Sequence, residues 1–215
     1  AMNKIVSKEF FKKNKILTPK YFTLNKNQMK NNILKKEVIK KNIKFPLVIK
    51  PINEGSSLGV KIVKNNKDLK KFTEILLKKY DQLICEQFIG GQEIQVAVIK
   101  DKALGAIELI PKRSFYDYKA KYSKLAKTKH IMPANLKKKK YAEVLHIAKK
   151  AHKVLNCKGV TRTDFKFYKD KFYLLELNTQ PGMTSLSLVP EIAGYRGITF
   201  SKLVEKILLD ASINK

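Results

Sequence analysis

The chain has 215 residues, 44% of them apolar, enough for one large domain or two small ones with separate cores. Its longest apolar runs, such as "PLVI" and "FYLLEL", fall far short of the roughly 20 residues that span a bilayer, and no apolar segment follows the first lysine, so a soluble, cytoplasmic protein without a membrane partner is expected. The formal net charge of +28 would suit a nucleic-acid binder, but only three of the 46 basic residues are Arg, and the lysines are spread along the whole chain among many Asn and Ile, as on a solvated surface.

In chain order, "NKIVSKEFFKKNKI" carries Ile5, Val6, Phe10 and Phe11 at a roughly helical stride, and "TPKYF" follows as a break and a short strand. "FPLVIKP" reads as a strand, "NEGSSLG" as a turn and "VKIV" as a second strand. A helix is predicted over "NNKDLKKFTEILLKKY", with Leu69, Phe72, Leu76 and Leu77 on one side. "LICEQFI", "QEIQVAVIK" and "ALGAIEL", separated by "GG" and "DK", read as a three-stranded antiparallel meander. "YDYKAKYSKLAKTKHIMPAN" has no periodicity and is the longest loop candidate. A helix over "KKKKYAEVLHIAKKAHKVL" leads into a hairpin of "GVTRTDFKFY" and "KFYLLELN", and "FSKLVEKILLDA" closes the chain as a helix. The class is α+β, with antiparallel sheets and helices on one face.

The two cysteines, Cys85 and Cys157, have no CxxC spacing, so neither a zinc site nor a disulfide framework is indicated. His146 and His152 stand six apart, not the three or four that a shared metal on a helix would need, and with His130 they read as structural or surface residues. Lys50 ends an apolar strand, where burial demands an anion. The turn Glu54 to Gly59 has two glycines and two hydroxyls, the equipment of a phosphate cradle, although an ordinary hairpin turn has the same composition. Asp164 lies on one strand of the last hairpin, and Glu176 and Asn178 lie two apart on the other, so three oxygen ligands suited to Mg²⁺ converge by alternation. Standing alone, such an acidic pair would equally be solvated surface.

Taken together, "FPLVIKP", "NEGSSLG", "ICEQFIGGQEIQVAV", "TRTDF" and "LLELNTQPGMTSLSLVP" resemble the D-alanine–D-alanine ligase family. The resemblance implies an ATP-grasp fold, two α+β subdomains with the nucleotide between their antiparallel sheets. Residues 1–90 would be the central subdomain with the phosphate loop, and 91–215 the C-terminal subdomain. The family's N-terminal domain of roughly a hundred residues is absent from this stretch. The activity implied is ADP-forming ligation of two D-alanines through an acyl phosphate, for peptidoglycan synthesis, in a homodimer when full length. By the same resemblance Lys4, Lys50 and Ser57 hold ATP phosphates, Glu86, Gln87 and Ile89 line the adenine edge, and Glu93 takes the ribose hydroxyls. Asp164, Glu176 and Asn178 bind two Mg²⁺ ions, for which Mn²⁺ can substitute. Arg162 and the Gly182 amide stabilise the oxyanion, while Ser187 and the Leu188 amide bind the second D-alanine. Lys121 and Tyr122 belong to a lid, Lys121 reaching the transferred phosphate and Tyr122 bonding Ser56.

The sequence departs from the family pattern at Gln87, where Lys is usual, at Asn3, where Asp is usual, and at Lys166, where an apolar side chain commonly packs under the adenine. Two alternatives remain: a relative that joins D-alanine to D-lactate or D-serine, or another carboxylate–amine ligase; and a non-catalytic lysine-rich nucleic-acid-binding protein.

Overall fold

Two β-sheets organise the computed structural model, which describes residues 3–28, 31–55, 57–111 and 128–211. The chain divides into two compact units: one holds Met2–Val6 together with Pro19–Ile89, the other Ser7–Thr18 together with Gly90–Lys215.

The first unit contains the start of helix α1 (Lys4–Lys13), then β1 (Tyr21–Asn25), a 3₁₀ turn (Lys26–Gln28) and α2 (Asn31–Lys40). It continues with β2 (Leu47–Pro51), β3 (Lys61–Val63), α3 (Asn66–Leu77) and β4 (Gln82–Gln87). The strands form an antiparallel sheet in the order β1-β4-β2-β3. Alternation sends Phe22, Leu24, Leu47, Ile49, Leu83 and Cys85 to one face, where they pack with Leu69, Leu76 and Leu77 of α3 and Leu34 of α2. Lys50 and Glu86 stand on the opposite face. Helix α3 begins at Asn65, whose side chain accepts from the Asp68 amide, and its apolar stride is the predicted one. Helix α2 goes unrecognised in the sequence because its run is rich in Lys and Asn; among the described side chains Leu34 and Val38, four apart, reach the core.

The second unit is built on β5 (Gln92–Ile99), β6 (Lys102–Ile110), β7 (Lys129–Ile131), α4 (Lys138–Val154), β8 (Val160–Tyr168), β9 (Lys171–Asn178), α5 (Leu188–Tyr195) and α6 (Phe200–Asp210). Its five strands run β7-β6-β5-β8-β9, all antiparallel. The expected three-stranded meander is corrected here: β4 pairs with β1 and β2, and only β5 and β6 form a hairpin. The "GG" that reads as a hairpin turn instead carries the chain from one sheet to the other. Gly91 has φ 83°, and a Cβ there would lie 2.2 Å from the Phe167 carbonyl oxygen, so only glycine fits.

Helices on a single face is also corrected for this sheet. Ile94, Val96, Val98, Phe165 and Leu174 pack with Val144, Ala148 and Ala151 of α4 and with Phe11 and Ile16. Ala97, Ile99, Ile107, Leu109 and Val160, on the other face, pack with Leu188, Val189 and Ile192 of α5 and Leu203 of α6. The short helix α5 escapes sequence reading because Pro190 interrupts it, but proline is tolerated in a first turn whose amides have no intrahelical acceptor. Strand β7 lies within the stretch read as loop and pairs with β6 through Glu108 and Ile131.

Candidate active site

On β8 and β9 four polar residues meet on one face. Arg162 is paired with Asn178 and Asp164 with Glu176. This register depends on a bulge. From the turn inward Tyr168 pairs with Lys171 and Phe165 with Leu174, and an unbroken ladder would then set Leu175 opposite Asp164. The register shifts between Asp164 and Phe165 instead, leaving Leu175 as the extra residue and bringing Glu176 opposite Asp164. Leu174 and Leu177 both reach the core beneath α4, three residues apart rather than two. Adjacent leucines at 174 and 175 were the sequence signal for this break.

Arg162 holds Asp164 in a two-point grip, Nε donating to Oδ1 at 2.8 Å and Nη2 to Oδ2 at 3.0 Å. Asn178 Nδ2 adds a longer bond to Asp164 Oδ2 at 3.4 Å. One rung further along the same face Glu93 and Lys166 are opposite each other, with Lys166 Nζ donating to Glu93 Oε2 at 3.0 Å. The unusual lysine is thus an ion-pair partner of the residue expected at the ribose, a relation invisible at a sequence separation of 73. Gln95 shares this face opposite Asp164 and is also absent from the sequence reading. Its signal was the polar alternation Glu93, Gln95 within "QEIQVAVI".

Beyond β9 the chain turns so that Gly182 meets Ser187: a Cβ at Gly182 would lie 2.7 Å from the Ser187 hydroxyl. That hydroxyl accepts from the Thr184 amide at 3.0 Å, and Ser187 is the residue from which α5 starts, with Leu188 buried behind it. Gly182, Ser187 and Leu188 therefore form one local group at a helix N-terminus.

In the first unit the Lys50 ammonium is 2.6 Å from Glu86 Oε2, and the two residues are only 7% and 3% exposed. The anion that burial of Lys50 demands is thus already present in the fold. Lys4, at the start of α1, donates its ammonium to the Glu54 carbonyl and its amide to the Ile52 carbonyl, which joins it to the Gly-rich turn. In that turn Ser57 and Gly59 adopt φ of 61° and 71°. A Cβ at Gly59 would come within 2.8 Å of the Pro51 ring, whereas at Gly55 it would meet nothing within 4 Å. Of the two glycines, Gly59 alone is sterically required. Gln87 ends β4 with its amide bonded to the Lys20 carbonyl, and Ile89 is buried just beyond it. Ser56, Lys121 and Tyr122 lie outside the described residues.

Burial pushes the Cys85 thiol well above its usual range, helped by the charge of Glu86, so this cysteine is not a nucleophile. Burial likewise pulls His152 down, with its Nδ1 2.8 Å from the Thr161 hydroxyl, and His130 pairs with Glu191 at 2.7 Å. Among the described residues no group of three His, Cys, Asp or Glu gathers as a metal site. Two carboxylates and a carboxamide are what β8 and β9 offer. Such a hard-oxygen set suits Mg²⁺, which completes its shell with water and phosphate oxygens, and does not suit a self-sufficient metal cage.

The comparisons with known proteins decide the family. The pattern of the D-ala D-ala ligase C-terminus matches residues 10–209. The chain belongs to the D-alanine–D-alanine ligase family. The D-alanine–D-alanine ligase of Pelagibacter ubique is 58% identical over all of this chain, which covers 69% of that relative. Crystal structures of the D-alanine–D-alanine ligase from Bacillus anthracis superpose with TM-scores of 0.83, at 32% identity, and 0.81, at 28% identity, the latter in a complex with ATP. Both are matched over 97% of this chain, which spans 66% and 65% of their lengths. The two antiparallel sheets with their helices are the ATP-grasp fold of this family. No helix among the described residues is long and apolar enough to cross a membrane.

Proposed function

We propose that the protein joins two D-alanine molecules using ATP, with Mg²⁺, in the cytoplasm, and so supplies the dipeptide for peptidoglycan. The observation that carries this reading is the single face on which Arg162, Asp164, Glu176 and Asn178 meet, in a chain of this family. Residues 1–90 hold the phosphates and the adenine edge through Lys4, Lys50, Ser57, Glu86, Gln87 and Ile89. Residues 91–215 hold the ribose through Glu93 and the ions through Asp164, Glu176 and Asn178. When bound, the ions draw negative charge from the transferring phosphoryl group.

The carboxylate of the first D-alanine forms a bond to the γ-phosphorus as the bond to ADP breaks, and an acyl phosphate results. The amine of the second then adds to the acyl carbon, loses a proton and expels phosphate. Arg162 serves the oxygen on which charge builds, together with the Gly182 amide. Ser187 and the Leu188 amide take the second carboxylate at the start of α5, where unpaired amides favour an anion. By the family resemblance Lys121, Tyr122 and Ser56 are assigned to shielding the acyl phosphate from water.

The test is ATP binding with and without Mg²⁺, followed by phosphate release with D-alanine, L-alanine as control and the product identified by mass. Mg²⁺-dependent binding that Glu176→Ala abolishes is expected, with weak or no ligation by this stretch alone, and any phosphate release should require D-alanine. Absence of any Mg²⁺-dependent ATP binding, or binding indifferent to Glu176→Ala, would overturn the proposal.

A further inference from the structure

Gln95 presents a problem that the site as described leaves unsolved. It is 0% exposed, and among the described residues neither its Oε1 nor its Nε2 has a hydrogen-bond partner. A buried carboxamide offers two donors and an acceptor, and burying all of them unmet is costly whichever way the amide is turned. The alternation Ile94, Val96, Val98 sends apolar side chains to the core under α4, so a polar residue between them points to the site face. There Gln95 stands directly opposite Asp164, a position whose side chains lie in contact range. Arg162, paired with Ala97, is its diagonal neighbour.

The grip of Arg162 on Asp164 supplies the reason. It occupies both carboxylate oxygens of a residue assigned to ions, and the guanidinium assigned to the substrate oxyanion. Where bound ions draw Asp164 and an oxyanion draws Arg162 the two-point grip gives way, and each partner then loses two hydrogen bonds in a largely buried setting. On the basis of the proposed function, we propose that Gln95 is a positioning residue for this site. Its Nε2 donates to Asp164 and its Oε1 accepts from Arg162 as the two move apart. One carboxamide can satisfy both at once, which an alkyl side chain of equal length cannot. The unmet polarity of the ion-pair state is thus met in the working state, and the burial cost falls on the state that is not catalytic.

Gln95→Met, of similar length and without polar atoms, tests this, with Gln95→Leu beside it. Melting of the ligand-free protein is measured first, then Mg²⁺ titrated at saturating ATP, and ATP binding measured in EDTA. The expected result is a ligand-free melting temperature equal to or above that of the wild type. Mg²⁺ affinity should fall roughly 10-fold, the usual effect of removing a residue that orients a metal ligand, and ATP affinity in EDTA should not change. A lower melting temperature with equal loss in Mg²⁺ and EDTA would make Gln95 merely structural and overturn the inference, as would unchanged Mg²⁺ affinity. A wild type that shows no Mg²⁺-dependent ATP binding would instead remove the proposed function, and this inference with it.

Discussion

Lys50 and Glu86 show how one residue's environment sets both stability and function. A nearly inaccessible ion pair gains Coulomb energy in a low-dielectric setting, but desolvation offsets much of it, so its net contribution is small while the loss of one member is severe. Glu86→Leu should lower stability by about 3–5 kcal/mol in urea denaturation, because it leaves Lys50 buried without its carboxylate. Lys50→Met with Glu86→Leu should recover most of that loss. The double variant should nevertheless bind ATP more weakly than the wild type, since both side chains are assigned to the nucleotide. Recovery of stability together with unchanged ATP affinity would separate the pair from the site. The need of Lys50 for an anion was legible from "FPLVIK"; that Glu86 meets it was not, because the two come from strands 36 residues apart in sequence.

At the scale of elements, the turns and helices that hold the site have their own requirements. Gly59 has a positive φ and its missing Cβ makes room for Pro51. Gly59→Ala should therefore strain the turn by roughly 1–3 kcal/mol and displace the Ser57 amide. Weaker ATP binding, read by calorimetry, should accompany a modest fall in melting temperature, whereas Gly55→Ala should leave packing around the turn unchanged. Helix α4 carries His152, held neutral by burial beneath its ordinary value of 6.5. Below that pH the unfolded chain takes up protons that the folded one refuses, so stability is complete above 6.5 and declines as pH falls. Melting temperature measured from pH 7.5 to 5.5 should drop more steeply in the wild type than in His152→Gln, which cannot titrate. Parallel slopes would show that His152 is not the group responsible.

For the whole molecule, a net charge of +28 opposes the compact state by self-repulsion, and lysines scattered over the surface have too few acids to pair with. Salt screens charges separated by more than about 10 Å at 0.1 M. The melting temperature should rise between low salt and about 0.5 M NaCl. A nucleic-acid-binding protein would show a different signature, affinity for unrelated duplexes that falls steeply with salt and ignores Glu176→Ala. Tight duplex binding of that kind would favour the alternative.

Local chemistry in the sequence was enough for much of this protein. Strand alternation in "FPLVIK" and "QEIQVAVIK", the helical stride of Leu69 to Leu77 and the hairpin around "KDK" all follow from how side chains project from a strand or a helix. The motifs that place the chain in its family are likewise short and contiguous. Relations set by distance along the chain remained for the fold to decide. It joined β4 to β1 and β2, and turned Glu176 toward Asp164 through the bulge at Leu175. It also paired Lys166 with Glu93 and left Gln95 facing the site with its polarity unmet. Period-two and period-3.6 patterns report which way a side chain points, but not which strand lies beside it or where a ladder slips by one residue. Those depend on packing the whole sheet against its helices, and so only tertiary structure could settle them.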